Sequence, residues 1–188
     1  MIIMTYPVKI IIGGSGATGK TTLCARLNGQ KDLFETHMTP GIEIHALECQ
    51  ENTKGCIWDL GGQERFRFVQ DAYIRGTKIL ILMYSVEWIH SARDLASWVS
   101  LIPENDPPKK IFLVANKIDS PRQVVQKSDI VPYIQKYEME YYELSAKTGQ
   151  GVPVFKAKLE ETVKQIAEEM VPPHRRKQKV VDYLSNCC

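Results

Sequence analysis

The chain has 188 residues, 44% of them apolar and 24% charged, with a formal net charge of +2. That is enough chain for one domain with a real core, and it excludes the fibrous and disordered classes. Residues 171–188 carry +3 and the remainder −1, so nucleic acid is not the expected partner of the body.

In chain order, Val8 to Ile12 is an apolar run that leads through Gly13-Gly14 to Leu23-Cys24-Ala25-Arg26-Leu27. A strand, a glycine-rich loop and a helix over about residues 20–29 are predicted. Residues 30–41 read as a loop, with Gly29, Asp32 and Thr39-Pro40-Gly41 as turn formers. Ile42 to Cys49 alternates apolar and polar as a half-buried strand does, and Glu51-Asn52 begins a hairpin turn into Gly55 to Leu60. A polar stretch to Gly76 fits a short irregular helix, and Lys78 to Ser85 is an apolar strand. Ser91 is the expected N-cap of a helix to about Ile102, with Leu95, Trp98, Val99 and Ile102 on one face. Asn105-Asp106-Pro107-Pro108 breaks the chain before a buried strand, Lys110 to Ala115. Ser128 is the expected cap of a helix holding Ile130, Val131, Tyr133, Ile134 and Tyr137, with Pro132 awkwardly near its first turn. Glu140 to Leu144 is the last strand. Phe155, Leu159, Val163, Ile166 and Met170 then fall at helical spacing.

Strands alternating with helices predict an α/β fold: a six-stranded, mostly parallel sheet with one antiparallel strand and helices on both faces. The expected domain is residues 1–171, with 172–188 a flexible basic tail. Ile79 to Tyr84, the longest apolar run, is strand-length, and no secretory signal or myristoylation glycine opens the chain. Cys24, Cys49 and Cys56 lack metal spacing and read as buried structural thiols of an intracellular protein.

Ligands of such sheets bind beyond the carboxyl ends of the strands. There Gly14-Ser15-Gly16-Ala17-Thr18-Gly19-Lys20-Thr21 has the spacing GxxxxGK[ST] of a phosphate-binding loop. Its glycines let successive N–H groups face one concavity, and the following helix adds the positive end of its dipole. Lys20 is placed to reach the β- and γ-phosphates and Thr21 to take one position on Mg²⁺. Asn116-Lys117-Ile118-Asp119 follows a buried strand. Asp119 can accept the two donors of guanine bidentately, a pattern adenine lacks. Ser145-Ala146-Lys147 adds the Ala146 N–H as a donor for the guanine carbonyl.

The chain resembles a Ras-superfamily small GTPase over about residues 6–170, through GGSGATGKT, TPGIEI, WDLGGQERF, NKID and ELSAK. QERF, Tyr73-Ile74-Arg75-Gly76 and the terminal Cys-Cys look most like Rab proteins, whereas Gly61-Gly62 looks more like Arf-type members. The resemblance implies a P-loop NTPase G domain that converts GTP to GDP and phosphate with Mg²⁺. It also implies that Thr39 coordinates Mg²⁺ and touches the γ-phosphate, that Asp59 holds Mg²⁺, and that the Gly62 N–H meets the γ-phosphate. Gln63 would orient the attacking water, and Thr22 and Lys117 would belong to the nucleotide site. No arginine is evident in cis; Arg65 and Arg67 read as a solvated face, so a GAP supplying an arginine is implied. Exchange factors and effectors would bind through residues 30–45 and 61–75. Two departures stand out: Phe34 is closer to Thr39 than the family's usual guanine-packing aromatic, and Ala17 replaces a frequent glycine.

Arg175, Arg176, Lys177 and Lys179 precede Cys187-Cys188, and the resemblance implies prenylation of both cysteines on a membrane's cytoplasmic face. The expected function is a switch in membrane trafficking. The alternatives are a GTP-binding scaffold with negligible hydrolysis, a signalling GTPase unconnected with membranes, and a nucleotide kinase, which would need an arginine-rich lid.

Overall fold

The computed structural model describes residues 7–30, 39–49, 53–62 and 72–171. Its elements are β1 (Val8–Gly13), α1 (Lys20–Leu27), β2 (Ile42–Glu48), β3 (Lys54–Leu60), β4 (Ile79–Ser85), α2 (Ile89–Arg93), α3 (Leu95–Val99), β5 (Lys110–Asn116), α4 (Lys127–Lys136), β6 (Glu140–Glu143) and α5 (Val152–Met170). The six strands form one sheet in the order β2-β3-β1-β4-β5-β6. β2 runs antiparallel to β3, and every other pairing is parallel.

The two faces follow from strand periodicity. All seven residues of β4 are buried, so alternate side chains feed opposite cores. Ile79, Ile81 and Met83 join Leu23, Cys24 and Leu27 of α1 and Phe155, Leu159 and Val163 of α5. Leu80, Leu82 and Tyr84 join Leu95, Trp98 and Val99 of α3 and Ile130 of α4. Met170, at the end of the α5 stripe, is 36% exposed.

Both serine caps are corrected. α2 begins at Ile89, before Ser91, and gives way to α3 at Asp94 instead of running on to Ile102. The Ser91 hydroxyl turns inward, accepting from the Ser85 N–H at 3.0 Å and donating to the Trp88 carbonyl at 2.6 Å. α4 begins at Lys127, and its first turn is closed by Asp129, whose carboxylate accepts the Gln126 N–H at 2.7 Å. Ser128 and Pro132 both lie inside that helix. Glu51-Asn52, the expected turn, lies outside the described residues, although β2 and β3 pair as a hairpin requires.

β2 is half-buried, as its alternation predicts, but its apolar face is the open one. Ile44 is 57% exposed, while Leu47 on the opposite face is buried. No helix covers the Ile44 side of this edge strand among the described residues.

Candidate functional site

The loops after β1, β3, β5 and β6 meet at one edge of the sheet. Gly14 has φ +143°, and a Cβ there would lie 2.1 Å from the Met83 carbonyl oxygen, so only glycine lets the loop leave β1 in this direction. Within the loop the Thr18 hydroxyl donates to the Ser15 carbonyl at 2.9 Å. Lys20 folds back over it, and its buried ammonium donates to the carbonyls of Gly14 and Ser15, each at 2.9 Å. Burial pushes the Lys20 pKa down, with Asp59 the largest influence holding it up. No side chain caps α1 and its first turn holds no acid, so its N–H groups and the ammonium leave an anion-binding concavity.

Gly62 lies against this loop. A Cβ there would come within 2.4 Å of the Gly14 carbonyl oxygen and the Ser15 carbonyl carbon. The Ser15 hydroxyl donates to Asp94 at 2.8 Å, tying the loop to the α2–α3 junction. A cavity of about 510 Å³ opens beside it, lined by Ser15, Gly16, Gly62, Trp88, His90 and Arg93.

Three oxygen-bearing side chains converge next to the loop. The Thr21 hydroxyl donates to Asp59 Oδ2 at 2.5 Å and sits 2.8 Å from the Thr39 hydroxyl. Asp59 is fully buried, and its Oδ1 has no hydrogen-bond partner. Desolvation raises its pKa, against the Thr21 hydrogen bond and the Lys20 charge. A buried carboxylate with one orphaned oxygen and two hydroxyls beside it fits a hard divalent cation.

On the far side, Asn116 joins two loops. Its Nδ2 donates to the Thr18 carbonyl at 2.7 Å, and its Oδ1 accepts the Ala146 N–H at 2.8 Å. The Ala146 N–H, expected to face a guanine carbonyl, is therefore committed to Asn116 in this structure. Arg26 of α1 clamps the same loop: its Nε donates to the Ala146 carbonyl at 2.9 Å, and its Nη2 donates to the Lys147 carbonyl. Lys117 has φ +67° and pairs with Glu87 at 3.1 Å. Asp119 is exposed beyond it, and the Ser145 hydroxyl accepts the Thr148 N–H at 3.0 Å.

Sequence reasoning missed Arg26, Asp94 and the aromatic edge. Trp58 stands opposite Ile44 in the β2–β3 register, and its ring lies 5.7 Å from that of Tyr73. These contacts join residues far apart in the chain and leave no local pattern. Gln63, Phe34, Arg65, Arg67, Cys187 and Cys188 lie outside the described residues. Among the described residues, no helix is long and apolar enough to cross a membrane. Cys24 is buried as expected, whereas Cys49 and Cys56 are only partly so.

A strand, a lysine-closed glycine loop and a helix, joined by loops from three other strands, define a phosphate-loop nucleotide-binding domain. A profile of the Ras family matches residues 9–168. Ras-related protein Rab-18 of Lymnaea stagnalis is 35% identical over 154 residues, spanning 77% of this chain and 74% of that protein. Rab-18-B of Danio rerio is 33% identical over 152 residues, spanning 77% and 73%. Rab-28 of Caenorhabditis elegans is 30% identical over 154 residues, spanning 77% and 62%. The chain belongs to the Ras family. Within it, it is a Rab-like small GTPase, a GTP hydrolase that acts as a switch in membrane trafficking.

Proposed function

We propose that Gly14 to Thr22 cradle the phosphates of GTP, that Lys20 neutralises the β- and γ-phosphates, and that Asn116, Lys117, Asp119 and the 145–147 loop hold guanine. The observation that carries this reading is the meeting of Lys20, Thr21, Thr39 and Asp59 at the start of α1. Thr21, Thr39 and Asp59 hold Mg²⁺, which when bound offsets negative charge on the β- and γ-phosphates. Gln63 orients the attacking water and Gly62 donates its N–H to the γ-phosphate. Residues 1–171 form the G domain. Thr39 and Gly62 lie within the two segments, 30–45 and 61–75, that change partner affinity when the γ-phosphate leaves.

GTP-state partners dock on the edge carrying Ile44, Trp58 and Tyr73, a reading supported by the exposure of Ile44 beside the half-buried Trp58–Tyr73 pair. The basic tail holds the protein to the cytoplasmic face of a membrane through lipid on Cys187 and Cys188. Two chains suffice for stable anchoring where one is marginal.

Mass spectrometry of the purified protein tests the first part: GDP or GTP should co-purify, and ADP or ATP in its place rejects the guanine assignment. Single-turnover hydrolysis should be slow in the wild type and slower still in Gln63→Leu. Equal rates in the two remove Gln63 from catalysis and favour a scaffold. The intact mass of protein from its own host should show isoprenoid on both terminal cysteines, and bare thiols there reject the anchor.

A further inference from the structure

On β2, Glu43, His45 and Leu47 share the face that packs beneath α1. Each stands opposite a β3 residue of that face, Glu43 opposite Asp59, His45 opposite Ile57 and Leu47 opposite Gly55. Leu47, Ile57 and Cys24 belong to one core cluster, so this face brings a thiol, an imidazole and a carboxylate to one spot. One ligand atom from each of Cys24, His45 and Asp59 lies within 4.8 Å of the other two. His45 Nε2 and Asp59 Oδ1 are both buried without a hydrogen-bond partner. Such atoms are rare in folded proteins, and each calls for a ligand or a reason. Glu43 Oε2, at 3.9 Å from His45 Nε2, is too far to satisfy it.

We propose that Cys24, His45 and Asp59 form a site for a thiophilic divalent cation of the Zn²⁺ class, separate from the Thr21–Thr39–Asp59 set and sharing Asp59 with it. The donor chemistry separates the two. Sulfur and imidazole nitrogen select borderline-soft ions, whereas Mg²⁺ takes oxygen. The three ligands come from α1, β2 and β3, so an ion there fastens the first helix to the hairpin. Binding exchanges the Cys24 S–H bond for a metal–sulfur bond, and the proton leaves to buffer. His45 keeps 16% of its side chain exposed, and Glu43 Oε2 stands 3.9 Å from its Nε2.

Co²⁺ serves as the probe, because a thiolate ligand gives it a near-ultraviolet charge-transfer band. Full-length protein saturated with Mg²⁺ should bind one equivalent with that band, and Zn²⁺ should displace it. The band should persist in Cys49→Ser and in a Cys187→Ser/Cys188→Ser double variant, which removes the tail thiols. Cys24→Ser should abolish it, and His45→Gln should weaken Co²⁺ binding by about tenfold or more. His45→Gln keeps the test sharp if Cys24→Ser folds poorly, with far-ultraviolet circular dichroism checking both folds. The proposal is overturned by the absence of a band, which leaves His45 and Asp59 to bond directly to each other. It is equally overturned by a band that His45→Gln leaves unchanged or that vanishes with the tail cysteines.

Discussion

Ala17 adopts a left-handed backbone, φ +59°, with its side chain exposed at the mouth of the phosphate loop. A Cβ in that region costs about 1–2 kcal/mol, and glycine would relieve it, less the greater entropy that glycine loses on folding. Ala17→Gly should therefore stabilise the protein by about 0.5–1 kcal/mol, read as a higher urea midpoint at unchanged slope. An unchanged midpoint means that the loop already relaxes around alanine. Asn116 works in the opposite direction. Its amide satisfies the Thr18 carbonyl and the Ala146 N–H in a buried position, so Asn116→Ala orphans a buried acceptor and a buried donor. At about 1–3 kcal/mol per orphaned group, the expected loss is about 2–4 kcal/mol, because water enters part of the gap. Unfolding of the nucleotide-free protein measures it. A loss below about 0.5 kcal/mol would mean that the two loops do not depend on this side chain.

At the scale of elements, motifs with local spacing were legible and pairings across the chain were not. Gly14 to Thr21 and Asn116 to Asp119 announced themselves because each is a contiguous run at the end of a strand. Ser91 and Ser128 misled for a physical reason. A serine before a helical stripe signals a cap only if its hydroxyl is free, and Ser91 is engaged by Ser85 and Trp88. At α4 the Asp129 carboxylate, accepting the Gln126 N–H, sets the cap two residues before Ser128. The break at Asp94 coincides with the carboxylate that Ser15 binds, 79 positions away in sequence. His45 looked like the polar half of an alternating strand, and only the β2–β3 register reveals what it faces. The Arg26 clamp yields the prediction of this scale. It joins the helix that begins at the phosphate loop to the loop assigned to guanine, through two carbonyls. Arg26→Ala should speed GDP release about tenfold, equivalent to about 1.4 kcal/mol, in line with the loss of charged hydrogen bonds. Fluorescent-GDP displacement measures it, and Arg26→Lys should recover only part, because an ammonium cannot reproduce the forked contact. An off-rate that Arg26→Ala leaves unchanged separates the clamp from nucleotide retention.

Across the whole molecule, the same edge that closes on nucleotide also joins α1 to the hairpin. Thr21 belongs to α1, Asp59 to β3 and Thr39 to the segment before β2, and the Thr21 hydroxyl joins them through its contacts with Asp59 and Thr39. With GDP bound and Mg²⁺ removed, the buried Asp59 carboxylate would lie near phosphate oxygens with no cation between them except Lys20. Like charges at short range in a poorly hydrated site repel strongly, so chelation should expel the nucleotide and not merely the metal. The protein then loses the stabilisation that ligand binding confers, about 4 kcal/mol when nucleotide stands at a thousandfold its dissociation constant. For a chain of this size that corresponds to a fall of about 8–16 °C in Tm. Calorimetry of GDP-loaded protein with and without EDTA measures the fall, and fluorescent GDP followed in parallel should leave faster in EDTA. Asp59→Ala should blunt both responses, since it removes the carboxylate that makes the cation necessary. A Tm and an off-rate that EDTA leaves untouched would detach Thr21, Thr39 and Asp59 from the Mg²⁺ role, while the phosphate loop and its lysine would still account for nucleotide binding.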